Sequence, residues 1–493
     1  MKRSHWVLIA AGVLLVGLTL WQFNAAQAGL QISHWSSDGL PLTRISPAGL
    51  ATDQRPLVLI GHGFAGSRAV MRSFALALAH AGYEVVLWDF TGHGANPRPL
   101  PEIRGGLEGD ALAALQAAQA IGLGGSGQVA ILGHSMGSGA ALTFGQVRPE
   151  TSATIAVSPV GVSVTPELPR NLLLMAGSLE APFIRNAENL LAQAGGAGGN
   201  PSAGTARQLV VIPGVEHITI LFSPSAHDAA RQWLEAVFGL QPGAAAYTDR
   251  RLLWYGLGLA GTLLLLWGLA PLLSGMREAV SVENELRLPA LWRRLIALLG
   301  GALGATILLW FFGRAGVQLR GLLGLQVGGY LLIWFGVAGL LACLLLGRWP
   351  DRPGKLILVQ GLVVFAALWL GAGWLGQAVW LHWLLIPLRL IRWPVGAALM
   401  LPWLLAVGQA AAPASKLGRV GWWLAHSLIV LGALFLALRL SPELGFLTLI
   451  LPVFPLMLGL HALASGSHRS SWAFASSGAL FLSWALLAVF PLQ

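Results

Sequence analysis

The sequence predicts an α/β domain, a mostly parallel sheet with flanking helices, joined to an all-α polytopic membrane domain. Between Leu57 and Gly239, short apolar runs alternate with longer amphipathic runs, which is typical of parallel strands joined by crossover helices. After Arg250 and Arg251 the chain becomes a series of long apolar runs. Of the 493 residues, 55% are hydrophobic and only 10% are charged, whereas soluble proteins have about 25% charged residues. Most of the chain therefore cannot be an ordinary water-soluble globule.

Residues 1–28 are predicted to form an N-terminal signal anchor. The apolar stretch from Trp6 to Phe23 follows Lys2 and Arg3, and this layout holds the positive end in the cytoplasm. The sequence Ala-Gln-Ala at 26–28 also resembles a cleavage site, so a removable signal peptide is the alternative. Either interpretation exports the next segment, and the α/β domain is expected on the extracytoplasmic side of the cell membrane.

Residues 29–248 are predicted to form the α/β domain. The predicted strands are residues 57–61, 84–89, 128–133, 153–158, 171–176 and 208–213, and the predicted helices are residues 67–81, 107–121, 138–147, 183–194 and 225–239. An antiparallel edge hairpin is predicted at 30–46. Sheets of this kind bind ligands at the carboxyl ends of their strands. Functional side chains are therefore expected directly after the strands.

Residues 249–493 are predicted to form a membrane domain of about eight transmembrane helices. The candidate spans are residues 252–273, 295–313, 322–346, 356–379, 395–411, 420–438, 444–463 and 472–490, each close to the ~20 residues that a spanning helix needs. The intervening segment 380–393, WLHWLLIPLRLIRW, is predicted to be a helix lying in the membrane interface. The positively charged flanks favour a cytoplasmic N-terminus.

Charge, cysteine and histidine content exclude several classes of function. The net charge of +10 comes largely from Lys and Arg between apolar segments, so it indicates membrane flanks rather than nucleic-acid binding. The single cysteine, Cys343, excludes an internal disulfide or a cysteine zinc site. No predicted span holds a central carboxylate of the kind that ion transporters use. His382, His426 and His461 are the nearest candidates, and interface or helix-packing roles are expected for them.

The sequence Gly-His-Ser-Met-Gly at 133–137 matches the nucleophile-elbow pattern. In this pattern a sharp strand-to-helix turn exposes a serine hydroxyl at the edge of the sheet, and glycines stand where side chains would collide. The five residues alone are a weak signal in a chain with 63 glycines. Their context strengthens the signal, because the strand QVAIL comes immediately before them and a helical run follows. Ser135 is therefore a candidate nucleophile.

Residues 29–240 resemble the α/β-hydrolase fold family. The segment LVLIGHGFAGSRAVMRSFALALAHAGYEVVLWDFTGHG resembles the family's first conserved block, in which one strand ends in His-Gly and a later strand ends in Asp followed by Gly-His-Gly. GHSMG follows in the family's order. The resemblance implies an esterase-, lipase- or lysophospholipase-like activity, or a related acyl transferase.

The resemblance also implies a catalytic triad and an oxyanion hole. Ser135 matches the nucleophile, His217 matches the base in VVIPGVEHITIL, and Glu180 matches the acid in LLLMAGSLEAP. The family commonly has Asp at the acid position, but a glutamate also orients an imidazole. The backbone N–H groups of Phe64 and Met136 match the oxyanion donors.

Several other residues remain alternatives or are given structural roles. His227 is the second candidate for the base and Glu167 the second candidate for the acid; Glu188 is expected within a helix, and Glu216 is expected to point away. The spacing of His62, His93 and His134 argues against a metal site, and neither a metal nor a cofactor is predicted. Asp89 and Asp110 are expected to hold loops and helix starts.

These features predict a membrane-embedded serine hydrolase that cleaves or transfers an ester-linked acyl group of a lipid or lipid-like substrate. Only Pro159–Arg170 separate two predicted strands, so the cap insertion common in this fold is almost absent and bulky substrates would have access. The alternative is a transporter or sensor whose exported domain binds a ligand. A purely structural role for both halves is a third hypothesis.

Overall fold

The computed structural model describes residues 2–49, 55–100, 106–274, 290–347, 352–411, 416–467 and 470–493. Helix α1 (Arg3–Ala25) leads into a domain with eight strands and five helices. The strands are β1 (Leu30–Ser37), β2 (Leu40–Pro47), β3 (Leu57–Gly61), β4 (Glu84–Trp88), β5 (Val129–His134), β6 (Ala153–Val157), β7 (Leu172–Gly177) and β8 (Arg207–Ile212). The helices are α2 (Arg72–His80), α3 (Leu107–Ala120), α4 (Met136–Val147), α5 (Ala181–Gln193) and α6 (Pro224–Phe238).

The eight strands form one sheet in the order β1-β2-β4-β3-β5-β6-β7-β8. Strands β3 to β8 are parallel, while β2 pairs antiparallel with both β1 and β4. The parallel strands from β3 to β7 are buried along their whole length, because helices cover both faces of the sheet. This confirms the predicted α/β hydrolase architecture, and the predicted hairpin at 30–46 is present as β1 and β2. The domain from β1 to α6 is called the hydrolase domain below, after this architecture.

The second half of the chain, here called the helical domain, consists of long apolar helices. They are α7 (Arg251–Ser274), α8 (Leu291–Arg314), α9 (Gly328–Leu346), α10 (Lys355–Leu368), α11 (Trp393–Ala411), α12 (Lys416–Leu440), α13 (Val453–Ala464) and α14 (Ser471–Val489). Within the described ranges, eight helical segments, α1 included, are long and apolar enough to cross a membrane. The shorter helix α13 falls below that length.

The predicted span at 444–463 is instead a broken segment. Residues 447–450 form one helical turn, and α13 begins at Val453. Pro452 stands between the two pieces and Pro455 lies in the first turn of α13. Proline lacks the N–H that would continue the helix and clashes with the preceding turn, which accounts for the break. Hydropathy alone does not register it, because the residues on both sides are apolar.

The segment 380–393 also differs from the prediction. It forms an irregular stretch with a four-residue helix at Pro387–Leu390, rather than one helix at the membrane interface. Leu381 and Trp383 are buried, and the backbone N–H of His382 donates to the Ser67 hydroxyl at 3.1 Å. The stretch is therefore part of the contact between the two domains.

Hydrogen bonds show which helix ends face the hydrolase domain. Arg251, at the start of α7, donates to the Ala378 carbonyl at 2.7 Å and to the Ser73 hydroxyl of α2 at 3.1 Å. At the opposite end of the bundle, Arg294 of α8 donates to the Ala410 carbonyl of α11 at 2.6 Å. Antiparallel helices thus present one set of ends to the hydrolase domain and the other set away from it.

The loops after β3 and β4 form much of the contact between the two domains. The Leu492 backbone N–H donates to the Gly92 carbonyl at 2.8 Å, and the Leu100 N–H donates to the Leu492 carbonyl at 2.9 Å. The buried guanidinium of Arg389 donates to the same Gly92 carbonyl at 2.7 Å and to the Phe490 carbonyl at 2.6 Å. The carboxyl edge of the sheet therefore faces the helical domain.

Candidate active site

Ser135 occupies a strained turn between β5 and α4. Its φ and ψ are 52° and −119°, outside the usual regions for a residue with a side chain. A Cβ on Gly133 would lie 1.9 Å from the Gly137 carbonyl oxygen, and a Cβ on Gly137 would lie 2.5 Å from the His62 carbonyl oxygen. Both glycines of the motif are therefore required by close backbone contacts, as a nucleophile elbow requires.

The structure brings Ser135, His217 and Glu180 together. His217 Nε2 lies 2.9 Å from Ser135 Oγ, and His217 Nδ1 lies 2.8 Å from Glu180 Oε2. All three side chains are buried. With the proton on Nδ1, the imidazole donates to the carboxylate and accepts from the serine hydroxyl, which is the arrangement a serine nucleophile needs for activation.

The second carboxylate oxygen of Glu180, Oε1, is also hydrogen-bonded. Glu180 ends the turn after β7, directly before α5, and its Oε1 accepts from the Ser158 hydroxyl at 2.7 Å and from the Gly177 N–H at 2.6 Å. Sequence reasoning missed Ser158 as a site residue. Its position at the carboxyl end of the neighbouring strand β6 was the available signal.

Two neighbours fix the His217 ring and backbone. The Phe183 ring stacks on the imidazole, with centroids 4.2 Å apart. His134 Nε2 lies 2.9 Å from the His217 carbonyl oxygen, to which it donates. Burial, followed by the nearby charge of His217, lowers the pKa of His134 well below its ordinary value, so its imidazole is neutral at physiological pH. His134 therefore supports the backbone of His217.

The two predicted oxyanion donors are the backbone N–H groups of Met136, which follows Ser135 in the chain, and of Phe64, which lines the same cavity as Ser135. Met136 is the first residue of α4, so its N–H has no acceptor within the helix. Phe64 lies in the turn after β3, and among the hydrogen bonds of the described residues none has the Phe64 N–H as donor. This turn is tight: a Cβ on Gly63 would lie 2.8 Å from His134 Nδ1 and 3.2 Å from Ser135 Cβ. Within the described part of the chain, neither amide group donates a backbone hydrogen bond, and their oxyanion role remains a prediction.

His62 supports the turn that contains Phe64. Its Nε2 accepts from the Phe90 N–H at 3.1 Å, so Nδ1 carries the proton and donates to the Gly63 carbonyl at 2.7 Å. Burial lowers the pKa of His62, which keeps the ring in this neutral form. Among the described residues, no three His, Cys, Asp or Glu side chains form a group that could hold a metal ion.

The alternative site residues lie elsewhere. His227 is buried and bonds the Leu221 carbonyl at 2.9 Å rather than Ser135. Glu167 and Glu188 are exposed, and Glu216 accepts from the Ile218 and Thr219 N–H groups. None of them approaches the serine.

Asp89 and Asp110 have the loop-holding roles expected of them. Asp89 accepts from the backbone and guanidinium of Arg68, each at 2.7 Å, and from the Ala95 N–H at 2.9 Å. Burial opposes ionisation of Asp89, but the Arg68 charge prevails and its pKa is lowered. Asp110 accepts from the N–H and hydroxyl of Thr91 at 2.7 and 2.9 Å.

Ser135 opens into an apolar cavity of about 200 Å³ between the two domains. The hydrolase domain contributes the turn 63–66 with Val70, Ile218 and Leu221. Among the described residues, the hydrogen-bonding side chains on that side are His134, Ser135 and His217. The helical domain supplies the rest of the wall, including Phe335, Trp380, Met400, Phe446, Phe454 and Leu482. These residues are scattered over more than 140 positions of apolar sequence, and hydropathy gives no indication of which of them face the cavity.

The first domain is an α/β-hydrolase domain, as defined by its strand order, the elbow at Ser135 and the hydrogen bonds around that serine. A domain with several apolar helices follows it in the chain. Residues 52–195 match the sequence model of the family described as Serine aminopeptidase, S33.

Known proteins that resemble the chain come from both sequence and structure comparison. Two uncharacterized proteins of Mycobacterium tuberculosis, from strains CDC 1551 and H37Rv, are each 29% identical over 188 residues, which is 33% of this chain and 63% of theirs. The match thus spans less than two thirds of those relatives.

Among solved structures, a membrane phospholipase A described as a bacterial virulence factor aligns with a TM-score of 0.36 and 16% identity over 47% of this chain and 96% of its own. A soluble variant of monoglyceride lipase from Saccharomyces cerevisiae, in complex with a substrate analog, aligns with a TM-score of 0.31 and 15% identity over 42% of this chain and 96% of its own.

Proposed function

We propose that this protein is a membrane-embedded serine hydrolase that cleaves, or transfers, an ester-linked acyl group of a lipid or lipid-like substrate. The observation that carries the proposal is the hydrogen-bonded series Ser135–His217–Glu180, whose serine faces an apolar cavity. Such a series has a clear chemical use in nucleophilic catalysis.

In the proposed reaction, His217 Nε2 takes the proton of Ser135 as Oγ attacks the ester carbonyl. The N–H groups of Phe64 and Met136 stabilise the oxyanion of the tetrahedral intermediate, and Glu180 stabilises the imidazolium. When the carbon–oxygen bond breaks, His217 returns the proton to the leaving alcohol. Water then releases the acid from the acyl-enzyme by the same steps, and an acceptor alcohol in place of water would complete an acyl transfer.

The cavity lining favours a lipid ester over a peptide. A peptidase that binds a free amino terminus needs a carboxylate in its binding pocket, whereas no Asp or Glu stands among the described residues that line this cavity. Burying an unpaired ammonium group in such a cavity costs several kcal/mol. An acyl chain has no such cost and gains up to ~0.8 kcal/mol for each buried methylene.

The apolar helices support the proposed location in a membrane. Within the described residues, eight helical segments have sufficient length and hydropathy, and large apolar side chains such as Leu428 and Ile391 are exposed on their surfaces. We propose that α1 anchors the protein in the cell membrane and that the hydrolase domain lies on the extracytoplasmic side, as the charges of Lys2 and Arg3 favour.

The proposal is tested by covalent labelling of the full-length protein in nanodiscs with a fluorophosphonate, together with turnover of p-nitrophenyl butyrate. We expect labelling and turnover in the wild type and in Ser163→Ala, which removes an exposed serine of the same domain. Both should be lost in Ser135→Ala. Equal labelling of the wild type and Ser135→Ala, or a wild type inert to every ester tried, contradicts the proposal.

A further inference from the structure

We infer that the acyl chain of the substrate occupies the part of the cavity inside the helical domain, and that Phe335, Met400 and Leu482 set the chain length that fits. This inference rests on the proposed function and adds a substrate-binding pocket to it. The pocket takes the place of the cap that the hydrolase domain almost lacks. Only the short connection from Ser158 to Asn171 lies between β6 and β7.

The helix ends nearest the hydrolase domain locate the entrance of this pocket. Directly before α9, the Gln326 N–H donates to the Pro491 carbonyl at 2.9 Å. The next residue, Leu492, pairs with Gly92 of the hydrolase domain, and Arg389, just before α11, donates to the same Gly92 carbonyl. The start of α9, the start of α11 and the end of α14 therefore all lie beside the hydrolase domain.

The depth of the pocket follows from the positions of the lining residues along these helices. Phe335 lies two turns after the start of α9, Met400 two turns after the start of α11, and Leu482 two turns before the end of α14. At 1.5 Å per residue, all three lie about 10 Å from the entrance. Phe335 and Met400 are almost completely buried, so the pocket ends inside the bundle.

One face of α14 forms a continuous wall from the entrance to this depth. Val489, Leu486, Ala485 and Leu482 all line the cavity, and their spacing of three and four residues places them along one side of the helix. Ala485 is the smallest of them and leaves room beside it. A wall without hydrogen-bonding groups suits a hydrocarbon chain, because a polar head group buried there would lose its hydrogen bonds to water.

Two substitutions of opposite effect on pocket size test the inference. The readout is kcat/KM for p-nitrophenyl acetate, butyrate, octanoate, decanoate and palmitate, measured with the full-length protein in nanodiscs. In the wild type we expect kcat/KM to rise by up to about fourfold per methylene until the pocket is full. Met400→Ala should move the optimum to longer chains and Ala485→Leu should move it to shorter chains. Val395→Ala, at an exposed position of α11, is the matched control and should leave the profile unchanged.

The outcomes separate the inference from the proposed function. If acetate turnover depends on Ser135 but the same chain length is optimal in all variants, the acyl pocket lies elsewhere and the hydrolase function stands. If no ester is turned over in a Ser135-dependent way, the proposed function itself fails.

A second measurement uses the wild type and does not depend on how the variants fold. An alkyl fluorophosphonate with a diazirine at the end of its octyl chain is bound to Ser135 and photolysed. We expect cross-links to peptides of α9, α11 or α14. Cross-links confined to the hydrolase domain or to nanodisc lipid would overturn the inference.

Discussion

The ring of Phe446, in the broken segment of the helical domain, stacks on the ring of Phe64, with centroids 3.8 Å and planes 16° apart. Phe64 is the residue whose backbone N–H is proposed as an oxyanion donor. The helical domain therefore contacts the proposed catalytic machinery directly, through an aromatic pair of a kind worth about 0.5–1.5 kcal/mol beyond its buried area.

Replacing Phe446 with Ala should lower kcat, because the turn at Phe64 loses the ring that holds it. Removing an oxyanion donor entirely costs about 10²–10³ in kcat, and a loosened donor should cost about tenfold. Phe446→Tyr preserves the stack and should retain most of the activity. The measurement is kcat and KM for p-nitrophenyl acetate, which is too short to depend on the acyl pocket. Phe435→Ala, at an exposed position of α12, is the control, and an unchanged kcat in Phe446→Ala would contradict the assigned role.

Glu180→Gln should reduce kcat by a factor on the order of 10³–10⁴, since an amide stabilises the wrong tautomer of His217 and cannot balance the imidazolium charge. Ser158→Ala removes one of the two groups that hold Glu180 and should reduce kcat about tenfold. The Gly177 N–H remains in this variant and preserves part of the geometry. Single-turnover acylation by p-nitrophenyl butyrate measures both effects. A larger loss of kcat in Ser158→Ala than in Glu180→Gln would contradict the prediction that Ser158 acts only by holding Glu180.

The buried ion pair between Arg251 and Asp249 should stabilise the junction of the two domains. Arg251 Nη2 lies 2.8 Å from Asp249 Oδ2, and the same guanidinium reaches the Ser73 hydroxyl and the Ala378 carbonyl. Arg251→Met leaves Asp249 buried without its partner and should destabilise the protein by about 3–5 kcal/mol. The double variant Asp249→Asn/Arg251→Met should recover part of this loss. Thermal unfolding in nanodiscs is measured for Arg251→Met, for Asp249→Asn and for the double variant. If the effects of the two single variants simply add in the double variant, the pair is not coupled.

Acid should destabilise the hydrolase domain through buried histidines such as His93. Burial, followed by repulsion from His62 when that ring is protonated, lowers the pKa of His93 from 6.5 to about 3. The unfolded chain binds a proton below pH 6.5 while the folded protein does not, so stability is complete above pH 6.5 and falls as the pH drops toward 3. The slope from one such group is at most about 1.4 kcal/mol per pH unit.

His93→Phe should therefore reduce the dependence of the melting temperature on pH between about 6.5 and 4. Its melting temperature at pH 8 provides the baseline, because the lost bond from His93 to the Thr91 carbonyl lowers stability at every pH. Parallel curves for His93→Phe and wild type would rule out a contribution from this imidazole.

The sequence predicted the sheet and the three residues now found in hydrogen-bonding contact, because both depend on local patterns. The elbow needs two glycines at fixed positions around Ser135, and the acid and base follow β7 and β8 in chain order. The resemblance to the α/β-hydrolase family implies an acid after β7, and Glu180 fits that position because no aspartate lies between Asn171 and Glu216. Their catalytic roles remain a prediction.

The parts that sequence could not predict depend on contacts between distant residues. Phe446 precedes the break at Pro452 and stacks on Phe64, but a hydropathy window treats 444–463 as one apolar run. The segment around His382 has the composition of an interface helix, yet its backbone bonds to Ser67, more than 300 positions earlier. Such contacts have no local signature, because any apolar residue satisfies the requirement for burial in lipid or in protein.

The contribution of α14 to the cavity wall has a consequence for biosynthesis. Ribosomes make the hydrolase domain first, and domains generally fold in that order. The cavity beside Ser135 thus lacks one wall until α14 is inserted and packed, because that helix supplies the lining residues Leu482, Ala485, Leu486 and Val489. If the proposed acyl pocket is correct, selectivity among acyl chains is acquired only after α14 has joined the earlier helices, so correct insertion of α14 would also determine which lipids are accepted.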